Sequence, residues 1–251
     1  MSRIKQSVCR WCYAKMPLEE LARNAAEIGL VGIDLVEPGG FEILKKHKLI
    51  GTMTPSHSIE KGLNDKANHA KCLAKIRASI EATSAAGFGN VICFSGNSAP
   101  HVNNEAGIAN SIHALKQVVG FAEQKKVTIC MELLNAKVDH PGYMCHRSDW
   151  GAAVAHGVGS ERFKLLYDIY HMQVNEGDVI ATIRKHKDVI GHYHTGGVPG
   201  RNEIDQTQEL NYPAIMRAIA ETGFGGFVAH EFIPKKDPMT SLREAVGICN
   251  I

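Results

Sequence analysis

Four apolar stretches in the second half of the chain each carry, near their ends, a side chain able to bind a cation or move a proton. VTICMELLN carries Glu132; FKLLYDIYH carries Asp168, with His171 just beyond; VIGHYHTGG carries His192 and His194; GFVAHEFI carries Glu231. A carboxylate near the end of a buried strand is costly unless it is paired or bound to a cation. Any one of these positions reads equally well as a solvated strand end or a structural ion pair. Four in succession, each bringing an oxygen or imidazole donor to one rim, point to a shared task. His192 and His194 are two apart and face the same side of an extended segment. Three carboxylates with one imidazole form a mostly hard donor set, suited to Mg²⁺ or Mn²⁺, with Co²⁺ or Zn²⁺ as alternatives.

Such residues meet only if their strands end at a common rim. The chain alternates short β-branched runs (QSVCRW, GIDLVE, NVICFSG) with longer amphipathic ones (PLEELARNAAEIG, NDKANHAKCLAKIRASIEATSAAG, EAGIANSIHALKQVVGFAEQK), giving about eight strand–helix units. That number closes a parallel barrel, so the pattern predicts a single TIM-type (β/α)8 barrel over 1–251 as one domain. An open doubly wound sheet shows the same alternation but gathers its ligand groups at one switch point; here they recur at several strand ends, which favours the barrel. Gly29, Gly87 and Gly223 follow helical stretches, Pro17 and Pro213 sit where a first-turn proline is tolerated, Ser148-Asp149 offers a capping oxygen, and a last helix begins near Pro238.

Composition narrows the function. Lys and Arg number 28 against 26 Asp and Glu, with no basic run to track phosphates, which argues against nucleic acid. No stretch approaches the roughly 18 uninterrupted apolar residues of a membrane span. The segment MSRIKQSVCRWCYAK lacks an apolar core and a small-residue cleavage site, so the expected location is cytoplasmic. Seven cysteines without framework spacing fit reduced thiols. Cys9 and Cys12 form a C-x-x-C, but on an extended strand they face opposite sides, and no second pair completes a zinc site. Gly196 to Gly200 lacks the spacing of a nucleotide-binding loop. Lys45 to Lys48 reads as a solvated helix face, and Trp11 as a candidate pocket wall.

Two further positions invite substrate. TPSHS places His57 at the same rim, as a substrate contact or as an ordinary exposed loop histidine. The glycine-rich loop Gly196 to Asp205 follows His194 directly, and Arg201 within it offers a planar two-pronged donor for a carboxylate.

The strings MELLN, DHPGY (Asp139 to Tyr143), YDIYHMQ (Tyr167 to Gln173), GHYHTGG and HEF, in this order, resemble the xylose isomerase-like sugar isomerase and epimerase superfamily, and within it the hydroxypyruvate isomerase branch. The likeness runs through nearly the whole chain, with its specific motifs between about Met131 and Phe232. It implies that Glu132, Asp168, His194 and Glu231 hold the metal, that Glu132 and Glu231 are also the catalytic acid–base pair, and that His171 contacts substrate hydroxyls. It further implies a small α-hydroxy-carbonyl or sugar substrate and a homo-oligomer. Hydroxypyruvate-type members tend to carry glutamine where His194 stands and the ketose 3-epimerases carry histidine, so both isomerisation and epimerisation stay open. An endonuclease IV-type phosphodiesterase, needing about three metals and a basic face, and a non-catalytic sugar-binding barrel are the remaining readings.

Overall fold

The computed structural model describes residues 4–251. The elements run β1 (Lys5–Cys9), α1 (Leu18–Ile28), β2 (Gly32–Asp34), α2 (Phe41–Lys46), β3 (Ile50–Met53), α3 (His69–Ala85), β4 (Asn90–Cys93), α4 (Asn104–Lys116), α5 (Val119–Lys125), β5 (Thr128–Leu133), α6 (Ser148–Val158), β6 (Phe163–Asp168), α7 (Ile169–Asn175), α8 (Val179–His186), β7 (Ile190–Thr195), α9 (Tyr212–Glu221), β8 (Phe227–His230) and α10 (Pro238–Cys249). The eight strands are parallel, in the order β3-β2-β1-β8-β7-β6-β5-β4. A parallel bridge between Thr54 and Val91 joins the two ends, with Thr54 N–H donating to Asn90 O at 2.9 Å and Ile92 N–H to Thr54 O at 3.0 Å. The sheet therefore closes on itself, and this is the (β/α)8 barrel of the sequence reading.

Strand centres are buried on both faces, as expected when side chains fill the barrel and helices cover it. Gly29, with φ +91°, ends α1 in the left-handed conformation that glycine adopts without steric cost. No helix among the described residues is long and apolar enough to cross a membrane.

Local expectations fail at four points. The run EAGIANSIHALKQVVGFAEQK is broken between α4 and α5, where Gln117 and Val118 turn back on Ala114 O and Leu115 O and bury Val118. Ser148 does not cap α6: its N–H and Oγ–H donate to Glu176 at 3.0 and 2.6 Å, so a carboxylate from beyond α7 serves that helix start. Cys9 and Cys12 are free thiols, but Cys12 lies in a 3₁₀ turn over Arg10–Tyr13, so the extended geometry assumed for the pair does not apply. Glu231 stands one residue beyond β8 instead of within it.

Candidate active site

Strands β5, β6 and β7 and the residue after β8 bring Glu132, Asp168, His194 and Glu231 into one cluster, with one donor atom from each within 4.8 Å of the others. A small divalent ion with bonds of about 2.1 Å sets opposite ligands about 4.2 Å apart, so the cluster has the right size. His194 Nδ1 lies 3.0 Å from Glu231 Oε2 and 3.3 Å from Glu132 Oε1. All four residues are at most 5% exposed. The register makes this possible: Asp168 pairs with His194, and His194 with Ala229, along neighbouring parallel strands. Asp168 also starts α7 as its N-cap, accepting from His171 N–H at 3.1 Å.

Arg201 closes the cluster. One guanidinium nitrogen, Nη2, donates to Asp168 Oδ2 at 3.2 Å and to Glu231 Oε2, while the group lies 5.1 and 5.4 Å from the Trp11 and Tyr170 rings. Its Nε–H is buried without a partner among the described residues. Arg201 adopts φ +57° next to Gly200 at +93°, a left-handed conformation that is uncommon for a residue with a Cβ. The sequence reading placed Arg201 toward a substrate carboxylate; here Nη2 faces the protein's own carboxylates and only the remaining donors are free. Trp11 is more than a wall: its Nε1–H donates to Glu231 Oε1 at 2.6 Å. The same indole lines an open groove of about 540 Å³ with Tyr13, Met16, Ile233 and Pro238.

Burial and mutual charge drive the carboxyl groups apart. Burial pushes Glu132 up, opposed by its hydrogen bond to His194 and reinforced by the Glu231 charge. Burial raises Asp168 well above the carboxylate range against the pull of Arg201. Burial also acts to raise Glu231, but Arg201, His194 and the Trp11 bond outweigh it and hold this carboxyl well below its usual value. Burial disfavours charge on His194, yet Cys9, Glu231 and Asp34 around it hold its pKa well above the ordinary histidine value. Three carboxylates facing one guanidinium leave two negative charges, which a divalent cation would cancel with His194 neutral. The donor set therefore fits such an ion, with Glu132, Asp168, His194 Nδ1 and Glu231 as its holders.

His171 sits beside the quartet, fully buried on α7, with Nε2 3.6 Å from Asp168 Oδ2 and without a hydrogen-bond partner among the described residues. Its tautomer follows from the loop after β5. Asn135 Oδ1 accepts from Val138 N–H and Asp139 N–H, at 3.0 and 2.9 Å, so its Nδ2 must face His171 Nδ1 at 2.7 Å. Nδ1 is thus an acceptor and the proton lies on Nε2, facing the site. Burial, then Arg201, hold His171 well below its ordinary pKa, keeping it neutral. Asn135 was missed in the sequence, where nothing separates it from a loop polar residue.

His57 is not brought to this cluster. Its Nδ1 bonds Ser58 O at 3.0 Å and its Nε2 accepts from Phe94 N–H at 3.3 Å, so both ring nitrogens are spent on backbone. It is 7% exposed, which also excludes the exposed-loop reading.

A closed (β/α)8 barrel with ionisable residues converging at the C-terminal ends of several strands is the architecture of a barrel enzyme. The model of the xylose isomerase-like TIM barrel family matches residues 9–249, and the chain belongs to that family. The hydroxypyruvate isomerase of Escherichia coli K12 is 24% identical over 232 residues, covering 88% of this chain and 89% of that protein. The 2-oxo-tetronate isomerase of Cupriavidus necator is 37% identical over 127 residues, 51% of this chain and 48% of that protein. The solved 3-keto-D-glucoside 4-epimerase YcjR of E. coli superposes with a TM-score of 0.81 at 16% identity, covering 97% of this chain and 98% of that one. The chain is accordingly an isomerase-type enzyme.

Proposed function

We propose that this protein is a divalent-metal-dependent isomerase that moves the carbonyl of a small α-hydroxy-carbonyl compound, of the hydroxypyruvate to tartronate semialdehyde type. The observation that carries this is the pairing of Glu132 and Glu231 across His194 within one buried cluster, with the environment raising one carboxyl and lowering the other. Paired carboxyls in opposite protonation tendencies are suited to take a proton from carbon and return it.

When bound, the ion, Mg²⁺ or Mn²⁺ by its donor set, supplies Lewis-acid stabilisation of the negative charge that develops on the substrate oxygens. Removal of the carbon-bound proton leaves an enediolate; the hydroxyl proton passes to the former carbonyl oxygen, and return of a proton to the former carbonyl carbon completes the carbonyl shift. Glu231, fixed by Trp11 Nε1–H and Arg201, holds its oxygen in place for one transfer, and Glu132 faces it for the other. His171 Nε2–H and Arg201 Nε–H are unpartnered donors that can bind substrate oxygens.

Epimerisation uses the same residues but returns the proton to the other face of the same carbon, and His194 in place of glutamine favours it. NMR product analysis of Mn²⁺- and Mg²⁺-loaded protein with hydroxypyruvate and a panel of small ketoses distinguishes the two. A shifted carbonyl supports the proposal, inverted configuration alone supports epimerisation, and no turnover with any member contradicts both.

A further inference from the structure

Beneath the quartet, Asp34 of β2 is fully buried in the barrel interior and accepts four hydrogen bonds from three other strands. Ser7 Oγ–H of β1 donates to Oδ1 at 2.8 Å, and Thr52 Oγ1–H of β3 donates to the same oxygen. Oδ2 lies 2.7 Å from His192 Nε2 and 3.1 Å from His194 Nε2, both on β7. The backbone is shaped for this: the β2–β3 register shifts between Ile33 and Asp34, and Leu35 takes φ +58°, unusual for a bulky side chain. A bulge of this kind re-aims a side chain, here inward across the barrel.

We propose that Asp34 is the positioning residue of the metal centre: it takes the Nε2–H of His194 and thereby leaves the Nδ1 lone pair to the ion. This rests on the metal reading of the quartet given above. An imidazole ligates through one nitrogen only when the other carries the proton, and a carboxylate on the far nitrogen fixes both tautomer and ring orientation. The second donor on Oδ2, His192, and the two hydroxyls on Oδ1 hold the carboxylate plane so that it cannot turn away from His194. Cys9 Sγ, 3.7 Å from His194 Nε2, forms with Asp34 and His194 a trio close enough to suggest a second cation site. The hydrogen bonds decide against that, because each Asp34 oxygen already has two donors.

The test is Mn²⁺ affinity by calorimetric titration of wild type and Asp34→Asn, with ¹H–¹⁵N NMR of the histidine rings in Mg²⁺-loaded protein. An amide can turn an N–H toward Nε2 and draw the His194 proton to Nδ1, so Asp34→Asn is expected to bind Mn²⁺ about 10- to 100-fold more weakly. In wild type the His194 Nε2 is expected to carry the proton and Nδ1 the metal-induced shift. Equal affinity in a folded Asp34→Asn protein overturns the positioning role and leaves the metal site standing. Failure of wild type to bind any divalent ion overturns the metal reading and this inference with it. If Asp34→Asn does not fold, the wild-type spectrum decides: a metal-bound Nε2 contradicts the proposal.

Discussion

Replacing Arg201 with methionine keeps much of the side-chain volume and removes the only guanidinium that faces Asp168 and Glu231 among the described residues. Arg201 is 12% exposed at the side chain and both partners are buried, so solvent screens little of the loss. Removing one member of a buried pair costs about 3–5 kcal/mol, because the carboxylates stay buried without their countercharge. With the residual exposure, about 3 kcal/mol is the expected loss in protein stripped of metal, a fall in Tm of roughly 6–12 °C for a chain of this size. The same change raises the negative charge of the cluster, so Mn²⁺ should raise Tm more in Arg201→Met than in wild type. Calorimetric unfolding in EDTA and in Mn²⁺ measures both. A loss below about 1 kcal/mol, the value of an exposed pair, would show that Arg201 is not a buried countercharge to Asp168 and Glu231.

His57 and His171 should separate cleanly. Burial, aided by Lys75, lowers His57 to about 4 against its bond to Ser58 O. The unfolded chain takes up that proton near pH 6.5 and the folded chain only near 4, so stability is lost as pH falls through this window, at up to about 1.4 kcal/mol per pH unit. His57→Gln should remove this component from the acid limb of an unfolding titration and leave KM unchanged; a raised KM would restore His57 as a substrate contact. His171→Phe removes the unpartnered Nε2–H, so kcat/KM should fall about 10- to 100-fold with Mn²⁺ affinity unchanged; steady-state kinetics with unaltered rates would remove it from substrate binding.

The quartet was legible because each member ends an apolar run, where a lone charge has no bland explanation that repeats four times. The barrel was legible for a related reason: eight strand–helix alternations and ligand groups at several strand ends leave little else. Asp34 was not legible. GIDLVE reads as any strand with an acidic residue, and its inward aim depends on a bulge that periodicity does not reveal. His57 failed in the opposite direction, since position at a strand end does not say whether a ring nitrogen meets backbone or substrate. Arg201 was found by its loop, but its partners lie about 30 residues away on either side in sequence and meet it only in the closed barrel. The N-cap role of Asp168 and the tautomer set by Asn135 depend likewise on contacts that spacing alone does not encode.

In this mechanism Glu132 and Glu231 move a carbon-bound proton. ¹H NMR of substrate deuteration in D₂O with metal-loaded wild type, Glu132→Gln and Glu231→Gln measures that transfer. Exchange at the carbon beside the carbonyl is expected in wild type and should fall by at least about 100-fold in each variant. Near-normal exchange in both variants would contradict it.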